Sequence, residues 1–500
     1  MTLGRWRPPQ LISRRSPDQR TVDWLELFYD LIYVAALIEL GQTLVGDLSL
    51  RGIGRFVALF TLLWWAWVGT TFLMNRIDVD DLAHRSLMVS QMFAIGVLAV
   101  IVDDAFGAYS AGFALAYFFI RLSLVVMYGR VWLHIPRARP LAASFLVVNG
   151  LSTTLWLVSV VVPPPGRFWL WALAFLIDLS WIASPWGRRN VARDYPPDEA
   201  HMAERFALFT LIVLGESIIK IIGGVADFGV TADTLVHGAV AFLVVGGLWW
   251  TYFDDVADSP INQMVRLNTA TWTFLHLPLT MGLTAVGVAL SGLVLSAIGA
   301  SLDASTAWLL IGALLLVLGS VAGLDAITTS RHHGLTKTQR IIPTLGAMAL
   351  LVLLGLATPL LTSTAFLVAV SVIVIGQIAI EVILARRADA AMHVEVEQVM
   401  RSAAANAPCD HLTAIEDTPP ASAGCLQCTE NGLVWVHLRA CTICGQVGCC
   451  DDSPGRHALT HYLSHEHATM RSIETGEEWA WCYEDRVGLE SVTSDFRGGR

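Results

Sequence analysis

The chain has 500 residues, of which 55% are hydrophobic and only 15% are charged, and its mean hydropathy is +0.58. This composition excludes an ordinary soluble enzyme and indicates an integral membrane protein. The net charge of −10 predicts no particular partner, because the acids gather in loops and in the C-terminal part. No nucleic-acid partner is expected. All eight cysteines lie between Cys409 and Cys482, so the thiols belong to one module.

Residues 1–23 hold five arginines and no apolar core, which predicts a cytoplasmic tail and not a cleaved signal peptide. Hydropathy over windows of about 19 residues then predicts twelve helices that cross the lipid bilayer. The predicted spans are 24–46, 54–74, 85–102, 107–128, 140–162, 167–186, 203–224, 235–253, 267–297, 305–329, 341–361 and 364–385.

Lys and Arg are distributed unevenly between the loops. If the amino terminus is inside, twenty of them lie in inner tails and loops, against Arg51, Arg55 and Arg167 outside. Inner loops are the ones enriched in Lys and Arg, so this asymmetry predicts that both termini are cytoplasmic. The cysteines then lie in a reducing compartment, which favours metal thiolates over disulfides.

The spans divide into two sets of six, in residues 24–200 and 201–386. In each set an acidic helix precedes a Trp-rich span and a group of aspartates, at an offset of about 180 residues. Because each set has six spans, the two halves have the same orientation, as in the parallel repeats of many transporters. The matching positions are few, and chance similarity is the other interpretation.

The first span carries three acids, Glu26, Asp30 and Glu39. A carboxylate at bilayer depth is costly and needs a partner, a wet cavity or a role in transport. Glu26 and Asp30 are one turn apart at the cytoplasmic entrance, where Glu26 is either a solvated first-turn acid at the positive helix end or a functional residue. Glu39 lies about 13 Å deeper on the opposite face, and we expect a wet or functional position for it.

The seventh span carries Glu204, Arg205, Glu216 and Lys220. At 100° per residue, Arg205 and Glu216 lie within about 20° of each other, and Lys220 follows Glu216 by one turn. These side chains form a predicted charged stripe. One interpretation is a buried Glu216–Lys220 ion pair that neutralises itself, and the other is part of an ion or solute pathway.

Other polar residues in the spans are isolated. Asp178 and Asp325 are candidates for further buried acids, and Arg121 is the third cation inside a predicted span. We expect His276 and the Trp-rich faces to serve in packing, since aromatic residues commonly fill apolar interiors.

Three segments carry a resemblance to a known family: ELFYDLIYV (26–34), WWAWVGTTFLMNRIDVDD (64–81) and HMAERFALFTLIVLGES (201–217). They resemble the low temperature requirement protein A family of bacterial polytopic membrane proteins, over about residues 20–388. The resemblance implies the architecture and a bacterial cytoplasmic membrane. It implies no substrate, because the family has no assigned biochemical activity.

Residues 387–406 are predicted to be a helix that leaves the membrane, followed by a short linker. A small module at 407–490 follows, and then a tail at 491–500. Two CxxC pairs precede two histidines with three residues between them, at Cys425, Cys428, Cys441, Cys444, His457 and His461. This pattern predicts zinc sites, since each CxxC supplies two thiolates to a tetrahedral ion. The alternative, free cysteines in a small domain, does not account for the density of ligands.

The order of the ligands resembles the ubiquitin-specific-protease type zinc finger, a small α+β domain. The resemblance implies two to three zinc ions in interleaved sites: Cys409, His411 and Cys482 with Asp485; Cys425, Cys428, Cys449 and His457; and Cys441, Cys444, His461 and His467. Asp485 stands where three-site relatives have a cysteine. The first of these sites therefore has a carboxylate ligand or is empty.

The resemblance also implies a ligand pocket at Trp481 and Tyr483, where relatives bind the carboxyl-terminal tail of ubiquitin. Relatives have Gly-Arg where Cys450 and Asp451 stand here, and that Arg helps to hold the tail carboxylate. An acid in this place argues against ubiquitin. A protein or peptide tail of another kind is the expected partner.

The sequence contains no nucleophile elbow, phosphate-binding loop or HExxH motif, and the zinc sites read as closed, structural ones. We expect no enzyme. The prediction is an all-α polytopic membrane protein with a cytosolic zinc module that regulates it or binds a partner. It is either a transporter or channel for an ion or small solute, using Glu39, Glu216 and Lys220, or a membrane-anchored scaffold or sensor that presents the module.

Overall fold

The computed structural model describes residues 9–11, 22–79, 81–184, 195, 197–255, 268–296, 299–328, 337–405, 409–413, 415, 418–431, 433–477 and 479–490. The chain forms two compact units, Met1–Ile383 and Leu384–Arg500. The first unit is helical, and the second contains a five-stranded sheet.

Twelve long helices occur in the described residues, each at a predicted span. They are α1 (Trp24–Gly46), α2 (Leu50–Arg76), α3 (Leu82–Ile101), α4 (Ser110–His134), α5 (Arg139–Val161), α6 (Gly166–Ala183), α7 (Glu199–Phe228), α8 (Ala232–Asp255), α9 (Asn268–Val294), α10 (Ala304–Ile327), α11 (Lys337–Leu356) and α12 (Ser363–Ala405). The last helix continues past its predicted span through most of the predicted linker.

Eleven of these helices are long and apolar enough to cross a membrane, counting described residues only. The exception, α6, has 18 residues, and its predicted span continues into residues 185–186, outside the described ones. Many large apolar side chains are exposed on the helices, including Trp24, Leu50 and Val161. An apolar outer surface suits a bundle surrounded by lipid. The interior is mainly apolar too, and it encloses a small number of charged side chains.

Local sequence fixes where the helices begin. At the start of α1, the Asp23 carboxylate accepts the Trp24 N–H at 2.8 Å, and Glu26 accepts the Asp23 N–H at 3.5 Å. This arrangement is a capping box. Asp303 caps α10 by accepting from the N–H and hydroxyl of Thr306, both at 2.8 Å, and these bonds lower the pKa of Asp303.

Five pairs of helices pack together at corresponding places in both halves of the membrane unit. In the first half α1 contacts α2 and α3, α3 contacts α4, α4 contacts α5, and α2 contacts α4. Six helices later, α7 contacts α8 and α9, α9 contacts α10, α10 contacts α11, and α8 contacts α10. This repeated packing supports the predicted pair of six-helix units. The halves meet where α1 and α2 contact α7 and α9.

A short two-stranded ribbon ties the N-terminal segment to the end of α2. Strand β1 (Gln10–Leu11) pairs antiparallel with β2 (Ile77–Asp78), and Leu11 lies opposite Ile77. Two strands of this length are marginally stable in water. The contact therefore depends on the helices beneath it.

The second unit is built on an antiparallel sheet with the strand order β4-β3-β5-β6-β7. The strands are β3 (Leu438–Cys441), β4 (Val447–Cys449), β5 (Thr469–Ser472), β6 (Trp479–Cys482) and β7 (Val487–Glu490). Three short helices accompany them, α13 (Asp410–Thr413), α14 (Leu426–Glu430) and α15 (His457–His465). The buried apolar clusters of the second unit are small, as expected for a domain that relies on metal for part of its stability.

Buried ion pairs connect neighbouring helices of the membrane unit. The Arg121 guanidinium of α4 donates to Asp178 of α6 at 2.5 Å and to Asn149 of α5 at 2.7 Å. The same Asp178 oxygen accepts from Trp65 at 3.1 Å and from Ser152 at 3.2 Å. Asp178 is therefore a buried acid, as predicted, with a cation from another helix as its partner.

A second pair lies between α10 and α11, where Arg340 contacts Asp325. Both side chains are buried. Arg340 is absent from the predicted intramembrane cations, because the predicted span begins one residue after it. The structure starts α11 at Lys337, which places Arg340 inside the helix.

Replacing Arg121 with Met should destabilise the membrane unit, because it leaves the Asp178 carboxylate buried without its cation. Breaking one side of a buried pair costs about 3–5 kcal/mol. Thermal unfolding of the purified protein in detergent measures the effect. Arg55→Met is the matched control, since Arg55 is exposed at the start of α2. Equal unfolding temperatures for the two variants would contradict the assignment.

Candidate functional site

The first charged site joins α1 to α7. Asp30 and Arg205 are both fully buried. The guanidinium of Arg205 donates twice to Asp30, from Nη2 at 2.5 Å and from Nε at 3.1 Å. Trp67 of α2 donates its indole N–H to Asp30 at 2.7 Å. A two-point guanidinium–carboxylate contact is the strongest common form of ion pair, so this site fixes α1 against α7.

One turn nearer the start of both helices, Glu26 of α1 lies against His201 of α7. The Nε2 atom of His201 is 3.0 Å from Oε2 of Glu26, and Nη1 of Arg205 is 3.5 Å from the same oxygen. Glu26 is 2% exposed and His201 is 1% exposed. On the far side of the imidazole, Asn75 Nδ2 of α2 lies 3.3 Å from Nδ1.

Burial decides between the two interpretations of Glu26. Glu26 and Asp30 are 2% and 0% exposed, so neither is solvated at an entrance, and α7 covers them with a cation and an imidazole. Arg205 and Glu216 share a face of α7, as the predicted stripe requires. A rise of about 1.5 Å per residue separates them by about 16 Å along the helix, so they belong to different sites. His201 and Asn75 were not singled out, although both lie within the family-like segments.

The second charged site lies further along the same helices. Lys220 Nζ is 3.7 Å from Oε1 of Glu216, and their side chains are 8% and 7% exposed. If Gly41 of α1 carried a side chain, its Cβ atom would lie 2.8 Å from Lys220 Nζ and 3.2 Å from Cγ2 of Thr284 on α9. The site thus lies where α1, α7 and α9 meet. Gly41 is the residue that leaves room for the ammonium group.

The ammonium group of Lys220 has no hydrogen-bond partner among the described residues. The charge of Glu39 on α1 also acts on both Glu216 and Lys220. The Glu39 side chain is exposed on the outside of the bundle and not enclosed. Glu204 is half-buried beside Arg205. His276 Nε2 lies 3.0 Å from the Tyr252 hydroxyl, and the imidazole is tilted against the Trp272 ring with centroids 4.3 Å apart, as expected of a packing residue.

The cysteines and histidines of the second unit form three clusters. In each, four candidate ligand atoms lie within 4.8 Å of one another. The clusters are Cys425, Cys428, Cys449 and His457; Cys441, Cys444, His461 and His467; and Cys409, His411, Cys482 and Asp485. These are the three groups of residues that the resemblance implied.

The distances within the first two clusters fit a tetrahedral zinc ion. With zinc bonds of about 2.3 Å to sulfur and 2.0–2.1 Å to nitrogen, neighbouring ligand atoms should be about 3.3–3.8 Å apart. His457 Nδ1 lies 3.2 Å from Cys428 Sγ and 3.4 Å from Cys449 Sγ. Both thiolates of the Cys441–Cys444 pair lie 3.4 Å from a histidine nitrogen. The residues therefore fit zinc without rearrangement.

Backbone turns bring each CxxC pair to its ion. After Cys444 the chain turns at Gly445, where φ is +75° and a Cβ atom would lie 2.2 Å from the carbonyl oxygen of Pro419. Only glycine fits this position. The Gly445 N–H donates to the Cys441 carbonyl at 2.9 Å, which closes the turn around the two sulfur atoms.

The third cluster is looser and lies at the surface. His411 Nδ1 is 2.8 Å from Asp485 Oδ2, and Cys482 Sγ is 3.6 Å from the same oxygen. His411 and Asp485 are 46% and 42% exposed. The hydrogen bond from His411 lowers the pKa of Asp485, so the carboxylate is ionised and able to bind a cation.

Burial raises the pKa of the Cys428 thiol to about 12 and that of Cys409 to about 11. These thiols therefore ionise at neutral pH only with a cation beside them. Zinc binds the thiolate and displaces the proton, so zinc affinity falls as the pH falls. Four candidate protein ligands in each cluster are the usual arrangement of a structural zinc site.

The predicted ligand pocket has an acidic edge. The Tyr483 hydroxyl donates to Asp451 at 3.1 Å, and burial together with this acid raises the pKa of Tyr483. The Tyr483 ring is stacked on Tyr462, with ring centroids 5.4 Å apart. Trp481 is half-buried on β6. The exposed Asp451 thus places a carboxylate beside one of the two aromatic residues of the predicted pocket.

Together, these features define a polytopic membrane protein with a C-terminal zinc-binding module. A family model described as bacterial low temperature requirement A protein (LtrA) matches residues 21–379. The chain belongs to this family. A second model, described as Zn-finger in ubiquitin-hydrolases and other protein, matches residues 425–493, a range that excludes Cys409 and His411.

Two individual proteins are similar to parts of the chain. Uncharacterized protein RA0937 of Rhizobium meliloti (strain 1021) is 31% identical over 302 residues, which are 55% of this chain and 71% of that protein. A solution NMR structure of protein RPA1320 from Rhodopseudomonas palustris is 38% identical. It covers 17% of this chain and 89% of its own, with a TM-score of 0.17.

The purified full-length chain should contain two to three zinc ions, measured by elemental analysis against protein concentration. Cys428→Ser should remove one ion, because it takes a ligand from the most buried cluster. If the wild type holds three, Asp485→Asn should reduce the content towards two.

Cys450→Ser is the matched control for these variants, since Cys450 belongs to none of the three clusters and contacts Ser453 instead. Its zinc content should equal that of the wild type. A wild-type value near zero would overturn the zinc assignment.

Proposed function

We propose that the membrane unit is a transporter or channel whose pathway uses Glu39, Glu216 and Lys220, and that the zinc module regulates it or binds a partner in the cytosol. The observation that carries the proposal is the buried Lys220 ammonium group, which lies 3.7 Å from Glu216 without a hydrogen bond in the described part of the chain. Intramembrane ionisable groups that are incompletely paired commonly mark ion or solute pathways.

The charge of the site favours a cation. Glu39 and Glu216 together carry two negative charges against the single positive charge of Lys220. When all three are ionised, the site is negative by one charge. A cation or a proton balances that charge, whereas an anion increases it. Glu39, exposed on α1, gives the site a contact with the surroundings of the bundle.

The distribution of Lys and Arg supports an orientation with both termini in the cytoplasm. The membrane repeats then comprise residues 24–200 and 201–386, and the zinc module, residues 407–490, lies on the cytoplasmic side. Closed zinc sites give this module a rigid shape for binding a protein or a peptide tail. The acid at Asp451 makes ubiquitin a doubtful partner.

The other candidate is a membrane-anchored scaffold or sensor. It is favoured by the ion pairs of three buried acids, Asp30, Asp178 and Asp325, each with an arginine of another helix. Paired charges give a rigid bundle, and a rigid bundle can serve as an anchor. In that case, substitutions at Glu216 and Lys220 should leave the function of the protein unchanged.

Flux into proteoliposomes separates the two candidates. Protons, alkali cations and small anions are tested in turn with the wild type, Glu216→Gln and Lys220→Met. We expect flux of a cation or proton in the wild type and a loss of at least tenfold in both variants, because each removes a charge from the site. Glu204→Gln is the control on the same helix. The absence of flux of every solute from the wild type would rule out the transporter.

A pair of glycine variants tests the site without altering its charges. In Gly41→Ala the new methyl group meets the flexible end of Lys220, so the ammonium group must move while the fold is kept. In Gly46→Ala the methyl group has nothing within 4 Å. Flux should fall several-fold in the first variant only, with equal thermal stability. Equal flux in both would place the pathway elsewhere.

A further inference from the structure

The three ligand clusters of the zinc module differ in their exposure to water. The first cluster buries all three of its cysteines, and the second buries Cys441 and His461. In the third cluster, the side chains of His411 and Asp485 are 46% and 42% exposed, and Cys482 is the one buried ligand. The shell around a metal site controls how easily solvent reaches the ion. An ion in the third cluster is therefore the most accessible to water.

The third cluster also has the weakest set of ligands for zinc. The first offers three thiolates and one imidazole, and the second offers two of each. The third offers two thiolates and one imidazole, and its fourth ligand is the Asp485 carboxylate. Thiolate and imidazole ligands suit zinc, whereas carboxylates suit harder cations such as magnesium and calcium. We expect the third cluster to hold zinc less tightly than the other two.

Two ligands of the third cluster also bond to each other. His411 Nδ1 lies 2.8 Å from Asp485 Oδ2. Zinc bonds of about 2.0–2.2 Å in tetrahedral geometry would hold these two atoms about 3.3 Å apart. Zinc binding therefore replaces a hydrogen bond between the ligands, and the net gain from binding is smaller.

The ligands of the third cluster come from distant parts of the chain. His411 and Asp485 are 74 residues apart, whereas Cys444 and His461 of the second cluster are 17 residues apart. A metal ion that joins two distant segments holds them together, because its binding energy offsets the entropy cost of closing the loop. The third ion thus has the largest effect on how the chain is tied together.

The helix α13 is the element that this ion would fasten. It has four residues, which is too few for a helix to be stable alone. Its buried apolar side chain is Leu412, which packs with Ala468 and Ala480. An ion in the third cluster adds a second attachment between this small helix and β6.

Thr418 gives the segment an anchor that does not involve the third cluster. Its hydroxyl donates to the Thr442 carbonyl at 2.7 Å, and Arg471 Nη2 donates to its own carbonyl at 3.1 Å. The last residue of α12, Ala405, is four residues before Cys409 and thirteen before Thr418. At no more than about 3.6 Å per residue, these connections span at most about 14 Å and about 47 Å.

We propose that Cys409, His411, Cys482 and Asp485 form an exchangeable zinc site, while the other two clusters keep their ions. When the site is filled, α13 is fastened to β6 and the connection to α12 is short. When the site loses its ion, α13 is released and the connection lengthens towards Thr418. The module thereby responds to the concentration of free zinc around it. The site belongs to the module alone and does not depend on transport by the membrane unit.

Zinc content at controlled levels of free zinc tests the site. The full-length protein in detergent is dialysed against a series of zinc buffers, and its zinc is measured by elemental analysis. We expect three ions per chain at high free zinc and two over a range of lower levels, with the third ion lost at a concentration about tenfold or more above that for the other two. A content of two or fewer at every level, or the loss of all three ions together, would overturn the proposal.

Substitutions at Asp485 assign the exchangeable ion to the third cluster. Asp485→Asn should lose the third ion at every level, because it removes the charged ligand. Asp485→Cys supplies another thiolate and should retain the third ion to free zinc levels about tenfold lower than the wild type does. Asp452→Asn is the matched control at an exposed acid outside the clusters, and it should behave as the wild type. A third ion that both Asp485 variants leave unchanged would contradict the assignment.

Hydrogen exchange of the full-length protein tests whether the ion fastens α13. Peptides that cover residues 409–413 should exchange faster in the two-zinc state than in the three-zinc state, because release from the sheet exposes their amides. Peptides that cover residues 425–428 and 441–444 should not change, since their clusters keep their ions. Equal exchange of residues 409–413 in the two states would show that the ion does not hold the segment, and would overturn the proposal.

Discussion

The ion pair between Asp30 and Arg205 is the contact on which the membrane unit depends. An acid six residues into the first helix cannot remain in a bilayer without a cation, and Arg205 occupies the corresponding place six residues into α7. Because the two helices run side by side in the same direction, a two-point contact between these residues fixes both their depth and their rotation. Trp67 completes the site by filling the third acceptor position of Asp30.

This pair places the other charged residues at defined levels along α1 and α7. Glu26 and His201 lie one turn nearer the helix starts, and Glu216 and Lys220 lie about 16–22 Å beyond Arg205 along α7. The levels differ in how completely their charges are balanced. Asp30 is saturated with donors and has a structural role. Lys220 differs from Asp30, because its buried ammonium group has no hydrogen bond among the described residues.

Hydropathy was sufficient to locate the helices, because crossing a bilayer requires about twenty apolar residues in a row. The spacing of the cysteines, together with the resemblance to known zinc fingers, was sufficient to group the candidate ligands. In both cases the information lies in residues that are close in sequence, or in a pattern that relatives share.

Partners from different helices were not predictable in the same way. The helical period places Asp30 and Glu39 on opposite faces of α1, about 180° apart. It does not show which of the two faces is buried. The buried face is the one that meets Arg205, 175 residues away in the chain. Arg205 and Glu216 share a face of α7, yet the helical rise keeps them apart, which the sequence alone already implied. For Glu26, the partner His201 became recognisable only when both helices were packed.

The most direct test of this account is a double-mutant cycle on Asp30 and Arg205. Free energies of unfolding are measured in the same detergent or lipid for Asp30→Asn, Arg205→Gln and the double variant. Each single variant should lose about 3–5 kcal/mol, because each leaves a buried charge unpaired. The double variant should lose much less than the sum of the two. Losses that add within about 0.5 kcal/mol would show that the residues do not interact and would contradict the account.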